Sequence, residues 1–200
     1  MPKKLSIGNT VITRIGFAGV KVEYNKHSIC IDPASEVENC SIILYTHSHS
    51  RHYTNSPVSS EKRVYSPFTG IIVKPGDVLE VEGIRITVRE AYNDPSIRGD
   101  IVPHPRGFSV GYILSPPEGP SIYYVGDSDL VPELIQVESS IDVLIPPIGG
   151  GAVMNPEDAF ELVKSIKPVV TIPVHTEDPR LLYKFRDMVQ PYTQVVLLWK

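Results

Sequence analysis

SIILYTHSHSRH, residues 41–52, decides how the rest of the chain is read. Ser41–Thr46 is a continuous apolar run of the kind that suits a strand buried on both faces. The next six residues hold three of the chain's six histidines. A strand end is a rigid platform, and the loop beyond it can turn several imidazoles inward. His47 and His49 lie two apart, so an extended backbone points both to one side. His52 returns from the first turn of whatever follows. Neutral imidazole is the commonest protein ligand for zinc, and His-x-His spacing suits first-row metals. A metal site therefore outweighs the bland alternative of a polar loop that happens to be rich in histidine.

Working outward, short strands continue on both sides. TVITRI (10–15), GVKVEY (19–24) and SICID (28–32) precede the motif, with Gly16 and Asn25-Lys26 as turns. KRVYSP (62–67), DVLEV (77–81) and IRITVRE (84–90) follow it. In the last of these, Ile84, Ile86 and Val88 alternate with Arg85, Thr87 and Arg89, which implies one wet face. FSVGYIL (108–114), SIYYVG (121–126), DVLIP (142–146), VVTIPV (169–174) and QVVLLW (194–199) complete the set. Isoleucine and valine number 45 against 12 leucines, and β-branched residues favour pleated surfaces over helices. Two helices are nonetheless legible, one from Asn155-Pro156 and one from Asp178-Pro179, each a capping residue followed by proline and an apolar stripe. A shorter helix near 130–137 starts at Pro132. Residues 92–107, polar and holding three prolines, read as a long functional loop. The pattern is α/β, rich in strand: two sheets face to face with helices outside.

Composition narrows the function classes. Two hundred residues with 42% hydrophobic content suit one domain spanning 1–200. A net charge of −4 argues against a broadly basic nucleic-acid footprint, and no apolar run approaches the roughly 20 residues of a membrane span. MPKKLSIGNT has lysines but no apolar core of a secretory signal, so a cytoplasmic setting is expected. Cys30 and Cys40 are read as reduced thiols without a metal role.

Two further strand ends add chemistry. Tyr123-Tyr124-Val125 leads into Gly126-Asp127, and a carboxylate there is placed to ligate or bridge a metal. Ile172-Pro173-Val174 ends in His175. Each is weak alone; three strand ends delivering His, Asp and His in one chain are not.

In this order the motifs resemble the metallo-β-lactamase superfamily. The matching pieces are His47-x-His49-x-Arg51-His52, the loop near 93–107, Gly126-Asp127, and Ile172-Pro173-Val174-His175. Ile31-Asp32-Pro33 is similar to an early Asp motif that supports the site. Gly107–Ile113, Ile122–Asp127, Pro147–Gly150 and Met154–Ala159 point to the branch of L-ascorbate-6-phosphate lactonase-like hydrolases. The resemblance implies a four-layer αβ/βα sandwich with a metal site at one edge. It implies a first metal on His47, His49 and a loop histidine, a second on His52 and His175, and Asp127 bridging. His104 is the one histidine in the loop and the favoured third ligand; Asn93 is the alternative position.

The family pattern is His-x-His-x-Asp-His, and here the Asp position holds Arg51. A guanidinium has no acceptor. At about 5 Å it repels a doubly charged ion by roughly 7 kcal/mol at an effective dielectric of about 20, an upper figure. One zinc ion is therefore expected over two, with manganese or iron as alternatives. Arg51 has two other readings: it takes an anionic group of the substrate, or it points outward. The implied activity is hydrolysis of an ester, lactone or phosphodiester of a small molecule, anionic ones included, by a metal-activated water that Asp127 orients or deprotonates. Tyr45, Asn93 and Arg106 are candidate polar groups near the mouth. The rivals are a non-catalytic metal-binding relative, sensory or structural, and a nuclease or other phosphodiesterase.

Overall fold

The computed structural model describes residues 2–35, 39–55, 62–137 and 139–199. The first half of the chain builds one sheet whose strands lie in chain order: β1 (Lys4–Ile7), β2 (Thr10–Arg14), β3 (Val20–Tyr24), β4 (His27–Ile31), β5 (Ile42–Leu44), β6 (Arg63–Ser66) and β7 (Ile71–Ile72). β1 to β4 are antiparallel neighbours, and β4 to β7 run parallel. The second half supplies β8 (Val78–Val81), β9 (Ile84–Ala91), α1 (Pro95–Arg98), β10 (Ser109–Ser115), β11 (Ile122–Tyr124), α2 (Pro132–Ile135), β12 (Val143–Ile145), α3 (Pro156–Ile166), β13 (Val170–Thr171), α4 (Pro179–Val189) and β14 (Gln194–Val195). Its sheet also keeps chain order, from β8 at one edge to β14 at the other.

The period of two along each strand sorts side chains into layers. Ile42 and Leu44 of β5, Val110, Tyr112 and Leu114 of β10, and Val143 and Ile145 of β12 meet in one core between the sheets. The intervening residues face outward. Ile113, Tyr123 and Leu144 pack under α2, α3 and α4. Ile43 faces the other way, into a small outer cluster with Cys30, Cys40 and Tyr45. The α/β sandwich expected from the sequence is the observed architecture. Among the described residues the helices cover the second sheet alone. None is long and apolar enough to cross a membrane.

The two longer helices begin where their caps predict. Asn155 accepts from the Asp158 amide while Asp158 reaches back to the Asn155 amide, a closed capping box ahead of Pro156. Asp178 caps α4 by accepting from the Arg180 amide, with Pro179 first and no closing box. The loop 92–107 contains one short helix, α1, capped by Asp94. β1 and β7 have no counterpart in the sequence reading, and the closing strands are shorter than their apolar runs.

One expectation fails. Cys30 and Cys40, read as reduced thiols, form a disulfide. Cys30 lies in β4 and Cys40 just before the neighbouring parallel strand β5, so the crossover returns the chain to within 5.8 Å, Cα to Cα. Counting cysteines against the size of the domain ignored this local geometry.

Candidate metal centre

Every histidine singled out around the motif, and Asp127, meets at the edge where β5, β11 and β13 end. The Oδ2 of Asp127 lies 3.8 Å from His47 Nε2, 3.4 Å from His52 Nε2, 3.4 Å from His104 Nε2 and 3.0 Å from His175 Nε2. His49 joins through Nδ1, 3.1 Å from His104 Nε2. One carboxylate oxygen, itself from a strand end, thus sits inside a ring of imidazole nitrogens drawn from two other strand ends and one loop.

Local structure explains why these side chains arrive. The chain turns immediately after His49, whose carbonyl accepts from the His52 and Tyr53 amides; this brings His52 back beneath His47. Gly126 has φ +76, and a Cβ there would lie 2.5 Å from the Val110 carbonyl oxygen; only glycine lets β10 approach so near to Asp127. His175 itself adopts φ +64, a costly conformation for a residue with a side chain, held by its amide donating to the Phe17 carbonyl. Two bonds stitch the sheets together beside the site: Tyr112 donates its hydroxyl to the Tyr45 carbonyl, and the Val110 amide donates to the Thr46 carbonyl.

A second layer of contacts fixes where the protons are. Asp32, fully buried, accepts from the Thr46 amide and hydroxyl, from the Tyr124 hydroxyl and from His52 Nδ1, all at 2.8–3.0 Å. Because the Thr46 hydroxyl donates to Asp32, its oxygen accepts from His47 Nδ1 at 2.8 Å. On the far side Asn93 donates to the Ala152 carbonyl, which turns its Oδ1 to accept from His104 Nδ1 at 2.9 Å and from the His104 amide. In His47, His52 and His104 the Nδ1 proton is therefore committed outward, and the Nε2 lone pair faces Asp127. Such outer partners set the tautomer and aim of metal-ligating histidines.

A third set of contacts ties the loops to one another. Arg98 of α1 donates through Nε to both oxygens of Asp129, at 2.9 and 3.0 Å, and through its other nitrogens to the Gly151 and Val153 carbonyls. Asp129 also accepts from the Asp94 amide. One guanidinium so joins the loops that carry His104, Asp127 and Ala152.

The electrostatics follow from burial. His47 is pushed down to about 3, first by burial and then by the neighbouring His52 charge. His104 falls to about 4 for the same leading reason. Both are neutral at pH 7, the state a ligand requires. Burial pulls His52 down as well, but the Asp32 charge and hydrogen bond outweigh it and the net direction is up. Asp127 runs against its own burial: the His175 hydrogen bond and the imidazole charges hold its carboxyl well below the usual range.

This donor set fits a divalent cation. His47 Nε2 is buried with no hydrogen-bond partner among the described residues. An orphaned acceptor facing a carboxylate is costly unless a cation lies between them. His47, His49 and His104 form one group able to hold an ion, and His47, His52 and Asp127 a second.

The remaining residues fall into place differently. Arg51 is exposed, with its guanidinium 4.4 Å from the centre of the Phe17 ring. Asn93 is occupied in orienting His104. Tyr45 does not reach the mouth: it is buried in the outer cluster against Tyr53 and Phe68. Arg106 bonds to Glu133 and lies over Tyr92. Thr46, Tyr124 and Arg98–Asp129 were not singled out from sequence. Thr46 stood inside the quoted motif, and Asp129 two residues beyond Asp127.

The description "Beta-lactamase superfamily domain" matches residues 11–175. The chain belongs to this superfamily. A UPF0173 metal-dependent hydrolase of Methanopyrus kandleri is 30% identical over 194 residues, covering 82% of this chain and 83% of that one. Another, from Thermoplasma acidophilum, is 31% identical over 151 residues, 67% of this chain and 64% of its own. Among solved structures, a protein from Parabacteroides distasonis superposes with a TM-score of 0.85 at 23% identity, over 99% of this chain and 98% of that one. Igni18, a metallo hydrolase of the hyperthermophilic archaeon Ignicoccus hospitalis, gives 0.77 at 20% identity, over 94% of each chain. These superpositions support the sandwich fold of the superfamily.

Proposed function

We propose that the chain is a metal-dependent hydrolase of small-molecule esters, lactones or phosphodiesters. The observation that carries this reading is the convergence of four imidazole Nε2 atoms on one Asp127 oxygen. The relatives bearing the name metal-dependent hydrolase support it. His47, His49 and His104 hold one ion, zinc being the best match to three imidazoles, with manganese or iron as substitutes. Asp127 adjoins that ion and, with His52 and His175, offers only a weak second position. A divalent cation bound there supplies Lewis acidity and lowers the pKa of water towards neutrality.

The chain's own residues do the rest. Asp127 orients the attacking water and accepts its proton. Asp32 and Asn93 stop the imidazoles from rotating, so the water and the scissile bond meet a fixed geometry. Buried walls exclude bulk solvent and strengthen each charge interaction. Within the same reading the setting is cytoplasmic; the Cys30–Cys40 disulfide is the observation against it, because such bonds are rare in reducing compartments outside hyperthermophiles.

The test is a screen of ester, lactone and phosphodiester substrates on protein loaded separately with zinc, manganese or iron. Hydrolysis that disappears in His47→Ala and His104→Ala supports the reading. Turnover undiminished in both variants, or none with any metal, refutes it.

A further inference from the structure

We infer that Arg51 and Phe17 form an oxyanion-binding subsite beside the metal centre, so that the substrate carries a carboxylate or phosphate away from the bond that is cleaved. The inference rests on the hydrolase reading for the word substrate, and on geometry alone for the subsite. A cleft of about 380 Å³ lies on this face, lined by Ile15, Phe17, Ser35, Ser50, Arg51 and Glu177. Phe17 joins it to the site: its ring stands edge-on to His175, 4.6 Å between centres. The guanidinium of Arg51 stacks 4.4 Å above the same ring.

Three features make this arrangement a ligand site in waiting. Among the described residues no carboxylate and no carbonyl accepts from Arg51, unlike Arg98, Arg106, Arg180 and Arg186, each of which has an acidic partner. Stacking on an aromatic face holds the guanidinium plane while leaving its N–H edges free, which suits two-point binding of an oxyanion. The one acid in the cleft, Glu177, lies close enough to Arg14 for their charges to interact. Arg14 itself is a buried guanidinium whose hydrogen bonds, among the described residues, go to the carbonyls of Gly16, Phe17, Thr176 and Leu198. The same Arg14 bonds pin Phe17 and the residue after His175, so the platform under Arg51 is rigid. Ser35 and Ser50 also line the cleft.

The experiment compares native protein with Arg51→Gln, Arg51→Lys, Phe17→Leu and, as a control, Arg85→Gln on the opposite sheet. Inorganic phosphate and succinate are titrated separately into metal-free protein by calorimetry, which distinguishes the two anion sources without any turnover. Binding by native protein and by Arg85→Gln, weakened about tenfold to a hundredfold in Arg51→Gln and less in Arg51→Lys, is the expected result. Phe17→Leu falls between. No binding by native protein, or equal binding by Arg51→Gln, overturns the subsite. In zinc-loaded protein, kcat/KM for mono-p-nitrophenyl succinate is compared with that for p-nitrophenyl acetate. The ratio falls in Arg51→Gln through KM for the succinate ester; a ratio that does not move overturns the assignment. If neither ester is cleaved by any form, the hydrolase reading fails, and the calorimetry still decides the subsite.

Discussion

The two halves of the metal centre share Asp127 and little else. On one side His47, His49 and His104 supply three imidazoles, and the outward protons of His47 and His104 are tied to Thr46 and Asn93. On the other, His52 is held by Asp32, but among the described residues the buried Nδ1 of His175 has no partner, and its backbone is left-handed. Among the described residues no carboxylate of its own joins that side, and Arg51 precedes His52 in the chain. Ligand number and neighbouring charge thus separate two positions built from the same residue type, and the lesson is that a cluster of histidines is not one property. In the reading proposed above, the first side holds a cation and the second receives an anion.

The comparison can be broken in four ways, from the largest expected effect to the smallest. Asp127→Asn damages both halves at once, and hydrolysis should fall on the order of 10²- to 10⁴-fold, read from initial rates with matched metal loading. His49→Ala and His175→Ala should diverge. The first leaves almost no zinc after desalting, and the second retains it near one ion per chain; equal loss would erase the distinction between the halves. Asp32→Ala frees Thr46, His52 and Tyr124 together and should weaken zinc by about 10- to 100-fold in a chelator competition, whereas Asn93→Ala, whose side chain bonds His104 and no other imidazole, sits near the lower end of that range. Arg98→Ala touches no imidazole. It leaves Asp129 buried without its cation, and calorimetry should show Tm lower by roughly 5 °C with zinc affinity changed less than tenfold.

How much of this was legible in the chain varies with the range of the interaction. Strand-bearing stretches were readable because alternation and β-branched content are local, and both long helices announced themselves through Asn155-Pro156 and Asp178-Pro179. The edge strands β1 and β7 were not, since Lys4–Ile7 and Ile71–Ile72 are short and half exposed and owe their state to a neighbour. At the site, His47, His49 and His52 came from spacing within one motif, while Asp127 and His175 needed the conjunction of strand ends. His104 and Asn93 both lay in the loop. Their roles separated only once Ala152, distant in sequence, fixed the Asn93 amide. The Cys30–Cys40 bridge and the Arg98–Asp129 tie were missed because each depends on two separate segments arriving side by side, which no period in the sequence records.

An anomalous difference map from crystals of zinc-loaded protein tests the central claim most directly. The account predicts a single strong peak about 2.0–2.1 Å from His47 Nε2, His49 Nδ1 and His104 Nε2, with Asp127 beside it and no comparable peak between His52 and His175. Two peaks of equal height, or none within reach of those three nitrogens, would contradict it.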